Sequence, residues 1–154
     1  MAGMSTLKDR LRTDLTAAMK ARDEVRSSTL RMILTAITNA EVAGKQAREL
    51  SDDEIIGVLS TEAKKRREAA AAFSDGGRAE QAAKETAEAA VIVEYLPAQL
   101  SPEEISGIVA AAIAQTGATD LKAMGKVMGV VTPQVRGRAD GGAVAAEVRR
   151  QLGA

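Results

Sequence analysis

Residues 94–104, Glu94-Tyr95-Leu96-Pro97-Ala98-Gln99-Leu100-Ser101-Pro102-Glu103-Glu104, place a helix stop directly before a helix start. Pro97 disfavours the helical region at the residue before it, so a helix arriving through Tyr95 and Leu96 ends there. Ser101 then suits an N-cap and Pro102 the first helical position, where its missing N–H is not needed. Glu103 and Glu104 meet the positive end of the new helix. Ala98 to Leu100 reads as a linker. The spacing predicts two helical domains, 1–97 and 98–154.

Upstream, Arg78 to Leu96 carries Ala82, Ala83, Ala87, Ala90 and Val91 at helical spacing, and Ser74-Asp75-Gly76-Gly77 separates it from the preceding helix. That helix opens on Ser51-Asp52-Asp53-Glu54, a capping box at a carboxylate-rich start, and continues with Ile55, Ile56, Leu59, Ala63, Ala70 and Phe73. Before it, Val25, Leu30, Ile33, Leu34 and Ile37 mark a helix ending near Gly44. Arg22-Asp23-Glu24 joins this helix to a first one capped by Ser5 or Thr6, whose stripe is Leu7, Leu11, Leu15 and Ala18/Met19 and whose polar side carries Lys8, Asp9, Arg10, Arg12 and Asp14. Downstream, Ile105, Ile108, Val109, Ala112 and Ile113 line a helix ended by Gly117. Thr119 or Asp120 caps a short one with Leu121, Met124, Val127 and Met128 inward, stopped by Pro133. Asp140 caps a last helix with Val144, Val148 and Leu152 on one face. The expected fold class is all-α, about four helices followed by a small three-helix domain.

Composition agrees with helices: one Phe and one Tyr in 154 residues leave the core to Leu, Ile, Val, Met and Ala. The chain has no Cys and no His, which removes disulfides, thiolate metal sites, the usual general base and the commonest metal ligand. No metal and no cofactor are expected. The formal net charge of 0 opposes bulk attraction to nucleic acid or an acidic membrane. Locally, residues 98–154 carry six basic side chains against five acidic, and residues 51–97 six against ten. No apolar run approaches a membrane span, and the N-terminus lacks signal-peptide order. The expected location is cytoplasmic, with neither membrane nor DNA as a partner.

The stretch from Asp120 to Gly141 gathers the candidate binding residues. Lys122 and Lys126 are spaced i,i+4, as are Gly125 and Gly129. Glycine in a helix is less favourable than alanine by up to ~1 kcal/mol, so such a pair signals close approach of another backbone. A helix of the same domain is favoured as that backbone over a phosphodiester. Arg136 and Arg138 flank Gly137, which can take positive φ, and both can bind phosphate oxygens. Equally, Arg138 can pair with Asp140 and Arg136 can be solvated. No phosphate loop or dinucleotide fingerprint is present. Lys64-Lys65-Arg66-Arg67 spreads around its helix and reads as a solvated face. Phe73 and Tyr95 read as packing residues.

Leu30-Arg31-Met32, Lys65-Arg66-Arg67-Glu68, Gly77-Arg78, Lys84-Glu85, Glu94-Tyr95-Leu96-Pro97, Gln99-Leu100-Ser101, Met124-Gly125-Lys126-Val127-Met128-Gly129 and Gly137-Arg138-Ala139-Asp140-Gly141 occur in that order. On these segments the chain resembles the YqeY-like proteins, relatives of the tail domain of the B subunit of glutamine-dependent aminoacyl-tRNA amidotransferases. The resemblance implies a larger N-terminal and a small C-terminal helical domain. It also implies a connection to tRNA and to the tRNA-dependent amidotransferase or aminoacylation machinery. Carbon–nitrogen ligase chemistry with glutamine as amido donor comes with that relation, but its catalytic parts lie outside the tail. The expectation is a non-catalytic tRNA-binding module or an accessory of the ligase, with Lys122, Lys126, Arg136 and Arg138 on phosphates and Gly125, Gly129 and Gly137 permitting approach. The remaining alternative is a helical protein-interaction adaptor.

Overall fold

A computed structural model describes residues 6–153. All regular elements among them are helices: α1 (Thr6–Lys20), α2 (Glu24–Val42), α3 (Asp52–Asp75), α4 (Ala79–Val93), α5 (Pro102–Thr116), α6 (Met124–Val135) and α7 (Gly141–Gln151), with one 3₁₀ turn at Leu121–Ala123. The chain divides into two compact units, one ending at Leu96 and one beginning at Pro97. No described helix is long and apolar enough to cross a membrane.

In the first unit α1 packs on α2 and α3 on α4, closing over Leu11, Leu30, Ile33, Ile37, Ile55, Leu59, Ile92 and Tyr95. Local sequence sets most of the helix starts. Asp23 accepts the Arg26 amide at 3.1 Å, and Ser51 and Glu54 form the reciprocal capping box. Ser5 lies outside the described residues. Thr6 begins α1 instead of capping it, and its hydroxyl donates to Asp52 Oδ2 at 2.7 Å while the Leu7 amide donates to Asp52 Oδ1 at 3.2 Å. A carboxylate at the start of α3 thus serves the Leu7 amide and the Thr6 hydroxyl at the start of α1.

Several expected faces are rotated. Lys8, expected on the polar side of α1, is buried, and Val25 is exposed. In α4 the buried positions are Ala89, Val91 and Ile92, while Ala83 and Ala90 face out. Alanine is nearly indifferent to which face it occupies, so an alanine-rich helix takes its phase from its few large residues.

In the second unit α5 packs on α6 and α7, and α6 on α7, around Val109, Val127, Val131, Val144 and Val148, all fully buried. Ser101 and Glu104 form a second capping box, with Pro102 opening α5. Gly117 ends α5 at φ 69°, a left-handed position that suits glycine.

Candidate nucleic-acid interface

Asp120 accepts the Lys122 amide at 2.9 Å and so starts a 3₁₀ turn before α6 begins at Met124. The tighter turn shifts the phase of the residues before α6. Leu121, expected inward, is consequently exposed, whereas Val127 is fully buried and Met124 and Met128 are half-buried. Lys122 and Lys126 are both exposed, but on different elements, the first on the 3₁₀ turn and the second on α6.

Gly125 and Gly129 lie one turn apart on the exposed side of α6, and a Cβ built on either would meet nothing within 4 Å. No other backbone among the described residues presses on them, so packing inside the unit does not account for the pair. Pro133, one turn further, sits inside α6, which continues to Val135. The expected stop at Pro133 is therefore corrected. Proline supplies no N–H to the carbonyl four residues back and crowds it with its ring. That carbonyl belongs to Gly129, which lies on the exposed side, where water can satisfy the oxygen. The side bearing Gly125, Gly129 and Pro133 is thus smooth, open backbone, with an acceptor left without its helical donor.

Arg136 follows α6 as its exposed C-cap residue. Lys122, Lys126 and Arg136 form no ion pair among the described residues. Arg138 is placed differently. It is half-buried, and its Nε donates to the Ala98 carbonyl at 3.1 Å. Its own carbonyl accepts the Leu100 amide at 2.8 Å, and Gln99 Nε2 donates to the carbonyls of Pro97 and Gly137, both at 2.8 Å. The turn after α6, with Gly137 at φ 75°, is thereby stitched to residues 97–100. Sequence reading missed this role of Gln99 and Ala98, because a side chain bonding to distant carbonyls leaves no periodic trace. The Arg138 charge also contributes to holding the Glu104 carboxyl below its usual range, after the larger effects of the Ser101 amide and hydroxyl. Asp140 caps α7 by accepting the Ala143 amide at 3.3 Å.

The basic run of α3 lies elsewhere and is divided. Lys64, Lys65 and Arg67 are exposed, whereas Arg66 turns inward to Glu62 at 2.9 Å, with Glu88 of α4 at 3.7 Å and Met32 Sδ in contact. Tyr95 is buried; its hydroxyl donates to Asp14 at 2.6 Å, and the Arg10 guanidinium lies 4.6 Å from its ring centre. Burial first, then the Asp14 hydrogen bond, push its phenol up to about 12. It is an inter-helix anchor, as its position at the end of a helix suggested. Among the described residues no three His, Cys, Asp or Glu side chains gather as a metal site.

The family model described as Yqey-like protein matches residues 8–152, nearly the whole chain. No curated protein matches it.

Proposed function

Because the chain belongs to the YqeY-like family, we propose that it is a non-catalytic, cytoplasmic tRNA-binding module resembling the tail of the amidotransferase B subunit. The observation that carries this reading is the open glycine side of α6, with Lys122, Lys126 and Arg136 exposed on and beside that helix. Two helical glycines that pack against nothing among the described residues of their unit leave the backbone free to approach a phosphodiester chain, and nearby cations with no ion pair among those residues supply the attraction. The Gly129 carbonyl is a further acceptor, of the kind a ribose 2′-hydroxyl can satisfy. Arg138 has a second task in this reading, since the Nε that ties it to Ala98 leaves only the outer guanidinium nitrogens for phosphate. Amidation by a carbon–nitrogen ligase using glutamine would belong to partner subunits, because a chain with no His and no Cys lacks the usual general base and thiol nucleophile.

A filter-binding titration of tRNA at several salt concentrations tests the proposal. Affinity is expected to fall steeply with salt, and Lys122→Gln, Lys126→Gln and Arg136→Gln should each reduce the log–log slope by about 0.7–0.9. Unchanged affinity and slope in the triple variant would refute the interface.

A further inference from the structure

Between the end of α1 and the first turns of α2 lies a cavity of about 340 Å³, lined by Met19, Arg22, Glu24, Ser27, Ser28 and Arg31. Neither Arg22 nor Arg31 forms an ion pair among the described residues; Arg31 Nη2 has Met19 Sδ at 3.2 Å, and a thioether is a weak acceptor. Ser27 is only 6% exposed. The next two hydroxyls, of Ser28 and Thr29, both donate to the Val25 carbonyl at 3.2 and 2.7 Å, yet the Ser27 hydroxyl has no hydrogen-bond partner among the described residues. The Ser27 hydroxyl is reached from the cavity that its residue lines and is free to donate to an occupant there. Arg22 holds φ 57°, a left-handed conformation that glycine would adopt without strain but without a guanidinium.

The geometry points to an oxyanion site here: the cavity takes a phosphate diester, with Arg22 and Arg31 on its non-bridging oxygens and the Ser27 hydroxyl donating to one of them. Glu24 shares the wall. Two guanidiniums against one carboxylate leave a formal charge of +1, which complements a singly charged diester better than a dianionic monoester. The cavity also has room for an attached sugar, whose hydroxyl Glu24 can accept. The site lies in the first unit and does not rest on the α6 interface. The diester can come from an RNA strand or from a small free ester.

The test is a titration of the full ¹⁵N-labelled chain, followed by NMR, with dimethyl phosphate, inorganic phosphate and a short single-stranded RNA. Saturable shifts are expected at the Arg22 and Arg31 Nε–Hε signals and at the Ser27 and Ser28 amides. Arg22→Gln with Arg31→Gln, both exposed and so compatible with folding, should weaken binding by about tenfold or more. Ser27→Ala should weaken it a few-fold without lowering the melting temperature, an outcome that a merely structural hydroxyl would not give. Lys122→Gln with Lys126→Gln should leave these four signals' response to dimethyl phosphate intact, which separates this site from the α6 interface. Tighter binding of the RNA than of dimethyl phosphate identifies a strand as the source, and equal binding identifies a free ester. The site is refuted if no probe shifts these signals saturably, or if the double arginine variant binds dimethyl phosphate as tightly as the parent.

Discussion

Lys8 and Glu41 show what a single residue pair contributes and why the sequence hid it. Lys8 Nζ donates to both Glu41 oxygens at 2.8 Å, with side chains only 9% and 12% exposed. Glu41 also accepts the Leu50 amide at 3.2 Å, so one carboxylate joins α1, the end of α2 and the segment leading to α3. Nothing around Lys8 marks it as buried, because the group that makes burial tolerable is 33 residues away and periodicity counts any lysine as polar. Removing one partner of such a pair leaves the other desolvated without its countercharge, and Glu41→Gln should lower unfolding free energy by about 2 kcal/mol or more in a denaturant titration. The Lys8 hydrogen bonds, followed by the Leu50 amide, outweigh burial and hold the Glu41 carboxyl below its ordinary 4.5. A depressed folded value means that the pair's contribution is complete above about pH 4.5 and is lost as pH falls through the lower folded value. Melting temperature measured against pH should therefore fall less steeply below that point in Glu41→Gln than in the parent.

At the scale of the element, α6 sets local propensity against exposure. Helix starts were readable from sequence because a cap is a local contract: Ser51 with Glu54 and Ser101 with Glu104 complete their boxes within three residues. The end of α6 was not readable, since the effect of Pro133 depends on what stands four residues before it. The carbonyl there stands on an open side, where water can satisfy it, and the helix continues to Val135. The two glycines of α6 make a decisive test, because stability and binding should move in opposite directions. A Cβ at 125 or 129 meets nothing within 4 Å, so Gly125→Ala with Gly129→Ala should stabilise the second unit by about 2 kcal/mol through helix propensity alone. If that side is where a phosphodiester backbone lies, the added methyls should weaken tRNA binding in the filter assay while thermal unfolding moves to higher temperature. Stabilisation with undiminished binding would move the interface off α6 and leave the glycines without a function.

For the molecule as a whole, the break at Pro97 and the restart at Ser101 told where helices end and begin, but not which residues share a core. The buried clusters answer that. Leu11, Leu30, Ile33, Ile55, Leu59 and Ile92 close one, and Val109, Val127, Val131, Val144 and Val148 close the other, with no residue common to both. Residues 97–100 bond to Gly137 and Arg138, so they are part of the second unit and were only superficially a linker. A chain segment of this size buries a smaller fraction of its surface than a full domain does, and sits near the lower limit for folding alone. Two well-capped helices and a fully buried valine core place residues 97–154 on the folding side of that limit. The fragment is expected to be helical by circular dichroism, to unfold cooperatively on heating, and to retain the salt-dependent tRNA binding of the full chain. Residues 1–96 should keep the response to dimethyl phosphate and lose most of the tRNA affinity. A folded 97–154 fragment without tRNA affinity, beside a full chain that binds, would place the RNA contact in the first unit and make the arginine cavity its leading part.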